Sequence, residues 1–150
     1  MLEQNSQYAI MPGDNMSRKR ILLADDHAEM LEEIRALLSE RYEIIGAVEN
    51  GAKLVEAAKA LKPDLIVSDI SMPVMSGFEA AAKIRESDLS PKIIFLTVQS
   101  SPAYLKKAKA LGAEGYVLKV YTAEQLLLAI ASVLTGTPYF SPQLRTGSEN

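Results

Sequence analysis

The sequence contains no cysteine and no tryptophan, a single histidine, and aromatic residues at only 6%. Without cysteine no disulfide framework can hold the chain, so its stability has to come from an apolar core. The missing thiols also suit a reducing compartment, and a cytoplasmic location is expected. One histidine, His27, gives little support to a transition-metal site. Long hydrophobic runs are missing too. The longest, Leu126 to Ala131, falls far short of the roughly 20 apolar residues that a membrane helix needs. No basic stretch followed by an apolar one opens the chain, so no secretory signal is read there. Nor is positive charge in excess: 16 lysines and arginines face 19 aspartates and glutamates, and a net charge of −3 gives no general attraction to nucleic acid. Lys106, Lys107 and Lys109 form only a local basic patch. Disulfide-stapled, membrane-spanning and strongly basic nucleic-acid-binding classes are thereby set aside.

What is present is the composition of an ordinary globular domain: 150 residues, 48% apolar and 23% charged. Three parts are expected: a loose tail over 1–17, one domain over 18–136, and a linker or tail over 137–150. The first is polar and unpatterned and is broken by Pro12 and Gly13; the last follows directly on Gly136 and carries two prolines and a further glycine. Between them, apolar runs of strand length alternate with longer amphipathic segments. The runs are Ile21–Ala24, Tyr42–Val48, Leu65–Ser68, Ile93–Thr97 and Tyr116–Leu118, rich in branched and aromatic residues, as strands covered on both faces require.

The segments between them carry helical spacing. Met30, Ile34, Leu37 and Leu38 share one stripe; Leu54, Val55, Ala58 and Leu61 share another. Tyr104, Leu105, Ala108 and Leu111 form a third, with Gly112 placed to end that helix in a left-handed conformation. A last helix runs through Leu126, Ile130 and Val133, with Thr122 expected as its N-cap. An alanine-rich helix from Phe78 to Arg85 completes the set. Five β–α units in succession predict an α/β fold, a flavodoxin-like doubly wound (βα)5 parallel sheet of order 2-1-3-4-5. Ligands of such sheets lie at the carboxyl ends of the strands.

Those ends deliver Asp25 and Asp26, then Asp69, Thr97 and Lys119, from the first, third, fourth and fifth strands. Each has an ordinary reading by itself: a turn or cap for an aspartate, a strand terminus for Thr97, a surface lysine for Lys119. Together they describe one crevice. Converging carboxylates repel one another and need a cation to stay ionised. A few carboxylate oxygens with room for water and phosphate are the ligands Mg2+ prefers. A carboxylate can attack phosphorus, while a lysine ammonium and a hydroxyl stabilise the transferred group.

The segments ILLADDH, DLIVSDISMPVMSGFEA, IIFLT and GAEGYVLK, followed by GTPYFSP, resemble the receiver domains of two-component response regulators, most closely those of the NarL/FixJ type. The resemblance spans about Arg20 to Pro142. It implies that Asp69 accepts a phosphoryl group, and that Asp26, Asp69 and the Ser71 backbone carbonyl hold Mg2+, Asp25 acting through water. It also implies that Lys119 binds the phosphoryl group, that Thr97 and Tyr116 form the switch, and that Pro73 and Gly77 shape the pocket. Two departures stand out. Val120 occupies a position where many receivers have proline, and Val98, branched where a smaller residue is usual, is expected to narrow the approach to Asp69.

The implied function is a signalling module. A histidine kinase or histidine phosphotransfer protein phosphorylates Asp69, and the face made by the fourth helix, fifth strand and fifth helix then acts on an output partner. Pairing of two copies through helical faces is left open. No helix-turn-helix segment follows GTPYFSP, so this chain alone is not expected to bind DNA specifically. It reads either as a stand-alone receiver or as the receiver portion of a longer transcriptional regulator. An aspartyl-phosphate phosphatase is disfavoured, because Ser71 stands where such an enzyme needs a second carboxylate. A phosphorylation-independent interaction domain is disfavoured by the complete set of chemical positions.

Overall fold

A computed structural model describes residues 18–144. The expected tail over 1–17 and the last residues, 145–150, lie outside the described part. Alternation of apolar run and amphipathic segment becomes five β–α units. The elements are β1 (Arg20–Ala24), α1 (Ala28–Leu38), β2 (Glu43–Val48), α2 (Gly51–Leu61), β3 (Leu65–Ser68), α3 (Gly77–Arg85), β4 (Lys92–Thr97), α4 (Pro102–Ala110), β5 (Gly115–Leu118) and α5 (Thr122–Leu134). A sixth strand, β6 (Tyr139–Phe140), follows. All pairings are parallel, and the order across the sheet is β2-β1-β3-β4-β5-β6.

Two-residue periodicity divides each strand between two cores. Leu22, Ile66, Ile93, Phe95 and Tyr116 pack toward Leu54, Phe78, Ile84 and Leu105, which belong to α2, α3 and α4. Ile21, Leu23, Val67, Ile94 and Val117 face Ile34 and Leu38 of α1 and Leu126, Ile130 and Val133 of α5. Burying a side chain of this size contributes about 1.5–3 kcal/mol relative to leaving it in water. The inner strands β1, β3, β4 and β5 are therefore buried almost throughout, as their apolar runs required.

Caps fix where the helices begin and end. Asn50 accepts a hydrogen bond from the Lys53 amide, and Ser76 forms a reciprocal capping box with Glu79 at the start of α3. Ser101 caps α4, whose first residue is Pro102. Gly112 follows α4 at φ +80°, the left-handed conformation expected of it.

Two expectations need correction. Thr122 does not cap α5: a 3-10 turn, Lys119–Tyr121, leads into the helix, and the Thr122 hydroxyl donates to the Lys119 carbonyl at 2.7 Å. The turn takes up the residues that a cap would have needed outside the helix. The segment after Gly136, read as linker or tail, instead docks on the domain as far as Leu144. Its β6 pairs with β5, Phe140 and the buried Leu144 join the core beneath α4, and Tyr139 packs on the opposite side. The sheet thus has one strand more than the predicted 2-1-3-4-5.

Candidate functional site

Register places the acidic residues side by side. Ala24 of β1 pairs with Ser68 of β3, and the Asp69 amide donates to the Ala24 carbonyl at 2.9 Å. Asp25 and Asp69 thus leave adjacent strands at the same level. Both are almost completely buried, 1% and 6% exposed. Two ionised carboxylates in such a place need a neutralising partner. Lys119, leaving β5 at the same end of the sheet, supplies it: its Nζ lies 2.8 Å from Asp25 Oδ2 and 2.8 Å from Asp69 Oδ2. Burial pushes the Lys119 ammonium toward losing its proton, but the bonds to Asp25 and Asp69 outweigh that and hold its pKa above the ordinary lysine value.

The remaining carboxylate oxygens are also occupied. Asp69 Oδ1 accepts from the Ile70 amide at 2.7 Å, and Asp25 Oδ1 accepts from the His27 amide at 2.9 Å. Asp26 stands at the solvent edge and lines a cleft of about 570 Å³ with Ser71, Met72, Pro73 and Phe78. One donor atom each from Asp25, Asp26, His27 and Asp69 can be chosen within 4.8 Å of one another. His27 is largely exposed, with Nδ1 3.2 Å from Asp25 Oδ1 and 3.3 Å from Asp26 Oδ1.

Glycine is required at the base of the site. A Cβ at Gly77 would sit 2.1 Å from the Asp69 carbonyl oxygen, so any side chain there displaces Asp69 or α3. The loop between them is tightly folded: the Met75 amide donates to the Pro73 carbonyl across Val74, which has φ 70°. That is a γ-turn, and a branched residue at its centre is strained. Gly51 clamps the loop by donating to the Met75 carbonyl, and a Cβ there would come within 2.3 Å of the same oxygen.

Thr97 and Tyr116 meet through one residue. Thr97 is fully buried and its Oγ1 accepts from the Gln99 amide at 3.2 Å, while the Tyr116 hydroxyl donates to the Gln99 carbonyl at 2.7 Å. Tyr116 lies wholly inside the molecule in this arrangement. Val98, expected to crowd Asp69, is 70% exposed, and Val120 is 77% exposed. The Lys119–Val120 bond is trans, as are all the peptide bonds described.

Reading the sequence missed three residues around this constellation. Ser68, whose hydroxyl donates to the Asp69 carbonyl at 2.7 Å, was taken only as the end of an apolar strand. Its signal was a polar residue in a fully buried run. Gln99, which joins Thr97 to Tyr116, gave no signal, because it acts through its backbone. Ser141 lay in the supposed linker.

A family model for the response regulator receiver domain matches residues 21–131. The chain belongs to the response regulator receiver family. Its relatives include the chemotaxis protein CheY of Halobacterium salinarum, 39% identical over 78% of this chain and 98% of that protein. The nitrate/nitrite response regulator NarL of Escherichia coli is 36% identical over 87% of this chain but only 61% of its own length. Similar solved structures include a LuxR-family two-component response regulator from Aurantimonas, with a TM-score of 0.82 at 30% identity, covering 87% of this chain and 94% of that one. The isolated receiver of RcsB from Salmonella, solved with the phosphomimetic BeF3-, has a TM-score of 0.80 at 27% identity, covering 87% and 98% of the two chains. This receiver therefore matches the full length of some relatives and about three-fifths of others. Among its described residues no helix is long and apolar enough to cross a membrane.

Proposed function

We propose that the protein is a phosphorylation-dependent signalling switch, with Asp69 accepting a phosphoryl group from a histidine kinase or histidine phosphotransfer protein. The observation that carries this reading is the Lys119 ammonium held 2.8 Å from both Asp25 and Asp69, shared by two buried carboxylates and lying beside the proposed acceptor. A carboxylate oxygen of Asp69 forms a bond to phosphorus as the bond from phosphorus to the donor nitrogen breaks. The donor imidazole leaves with the electron pair. Lys119 then meets the oxygens of the transferred group, and the Thr97 hydroxyl becomes available to it.

Three carboxylates, all oxygen donors, suit a hard divalent cation, and Ser71 lines the adjoining cleft. Asp26, Asp69 and the Ser71 carbonyl would hold Mg2+ directly and Asp25 through water. The metal's contribution when bound is to neutralise charge on the transferring group and to orient it. His27 adds nothing to such a site, since magnesium favours oxygen over imidazole.

The resulting charge is read through Thr97 and Tyr116, which share Gln99, at the surface formed by α4, β5 and α5. The phosphoryl group shifts an equilibrium between two conformations by its differential affinity for them. The output partner recognises one of them, and a homodimer is one form that recognition takes. A relative such as NarL extends well beyond the matched region, which supports a second setting for the same switch as the receiver of a longer DNA-binding regulator. To test the proposal, the chain is incubated with acetyl phosphate and Mg2+ and weighed intact. Addition of one phosphoryl group, abolished by Asp69→Asn, is expected. Addition undiminished in Asp69→Asn contradicts it.

A further inference from the structure

Eight polar side chains are buried among the described residues: Asp25, Asn50, Ser68, Asp69, Thr97, Thr122, Gln125 and Ser141. Asp25, Asp69 and Thr97 belong to the site, Ser68 braces Asp69, and Asn50 caps α2. The last three form a separate group where β5 turns into α5, outside everything the phosphoacceptor reading uses. A polar side chain is buried at a cost unless it is hydrogen-bonded, so what these three hold is informative.

Ser141 has no exposure, and both roles of its hydroxyl are filled. Its Oγ accepts from the Leu118 amide at 3.1 Å and donates to Gln125 Oε1 at 2.6 Å. The Gln125 amide in turn donates to Gln143 Oε1 at 3.0 Å. Two residues earlier on β5, the Tyr116 carbonyl accepts from the Ser141 amide at 2.8 Å. Where β6 ends at Phe140, the Ser141 side chain thus supplies an acceptor that a continuing strand would have supplied from its backbone. On the other side of the same peptide pair, the Thr122 hydroxyl donates to the Lys119 carbonyl at 2.7 Å. The backbone that launches Lys119 toward Asp25 and Asp69 is gripped at the Leu118 amide and at the Lys119 carbonyl.

We propose that Ser141, oriented by Gln125, is a positioning residue for Lys119, so that residues 137–144 are part of the phosphoryl-binding machinery. The inference rests on the reading of Lys119 as the group that meets the phosphoryl oxygens at Asp69. Lysine has a long and flexible side chain, and its Nζ reaches two carboxylates at 2.8 Å only if its Cα is held. Releasing the Leu118 amide frees the last residue of β5 and lets that Cα drift. A displacement of about 1 Å at a reacting group lowers a rate by up to roughly a hundredfold, so even part of that drift is measurable. Ser141 touches neither donor nor acceptor and acts only through the strand.

The test uses the whole chain carrying Ser141→Ala, with Gln125→Met as a milder, volume-conserving second variant. Phosphorylation by acetyl phosphate at saturating Mg2+ is expected to slow by about tenfold in Ser141→Ala and by less in Gln125→Met. Magnesium affinity should stay at the native value, because Lys119 is not a metal ligand. Exchange of the Leu118 amide should accelerate by about tenfold or more. Combined with Lys119→Ala, Ser141→Ala should cause no further slowing, since the residue it positions is gone. A native rate in Ser141→Ala, or the same proportional slowing with and without Lys119, overturns the proposal. If Ser141→Ala does not fold, Gln125→Met decides, and a native rate with native Leu118 protection overturns it. A native protein that takes no phosphoryl group at Asp69 refutes the acceptor reading instead. The positioning claim is then judged by the rate at which an amine-acetylating reagent modifies Lys119, and no acceleration in Ser141→Ala overturns it.

Discussion

At the scale of the residue, the chemistry is set by how few groups neutralise the buried charge. Asp25 and Asp69 share one ammonium. Replacing Lys119 with methionine leaves two buried carboxylates facing each other and should cost about 3–5 kcal/mol in denaturant melts without metal. Added Mg2+ should restore part of that loss, and a Lys119→Met protein as stable as the native one would show the pair to be unimportant. Asp26 has the opposite character: it is exposed and pairs with no lysine among the described residues, so the role proposed for it is in holding the metal. Asp26→Ala should weaken magnesium binding by more than about tenfold, and Asp25→Ala by less. A magnesium titration unchanged in Asp26→Ala would place the metal elsewhere. The identities of these residues could be read from the chain, because strand length and order alone brought them to one end of the sheet. Gln99 and Ser141 could not, because each acts through a backbone group whose position only the folded chain defines, and Ser68 left only the signal of a polar residue in a buried run.

Tyr116 gives the residue scale its pH dependence. Burial pushes its hydroxyl well above the ordinary tyrosine range, with smaller contributions from Tyr104 and Asp69. The folded state therefore keeps this proton longer than the unfolded chain does. Its contribution is intact below about pH 10 and declines as pH rises beyond that, since the unfolded chain ionises first. Absorbance titration should show one tyrosine ionising only with unfolding, and Tyr116→Phe should flatten the alkaline decline in stability. An equally steep decline in Tyr116→Phe would assign the effect to another group.

At the scale of the element, helices and inner strands were legible because their periods differ. Leu22 and Leu23 alternate between two cores, whereas Ile34 and Leu38, one helical turn apart, share a face. A core truncation such as Ile130→Ala on α5 should accordingly cost about 2–5 kcal/mol, measured by denaturant unfolding. Two short features escaped. The 3-10 turn before α5 is too brief to carry a period of its own, and Thr122 at its end has the composition of an N-cap without the geometry of one. Strand β6 has two residues, framed by Gly136, Pro138 and Pro142, a composition indistinguishable from that of a linker. It is retained by non-local partners: the edge of β5, the core contact of Phe140, and the Lys109 ammonium 4.6 Å from the Phe140 ring.

At the scale of the whole molecule, the sheet sets the proposed acceptor, Asp69, just past the end of β3 and the proposed switch residues on the two strands beyond it. Thr97 and Tyr116 lie on β4 and β5, the two strands that follow β3 across the sheet, and both bond to Gln99 in the loop before α4. Segment 137–144 lies against that same fifth strand, so a partner approaching the α4-β5-α5 side meets β6 as well. Thr97→Ala should still accept phosphate at Asp69 but pass it poorly to this side. Tyr116→Trp supplies a reporter, since the native chain has no tryptophan. A normal structural change and normal partner affinity in phosphorylated Thr97→Ala would mean that the signal leaves Asp69 by another route.

The signalling expectations depend on where the phosphoryl group goes. The chain should be treated with acetyl phosphate and Mg2+, reduced with borohydride to convert any acyl phosphate to a stable alcohol, and mapped by peptide mass spectrometry. Reduction at Asp69 alone, lost when Mg2+ is withheld, is the predicted result. Modification at Asp25 or Asp26, or phosphate retained on a serine or threonine with Asp69 untouched, would contradict it.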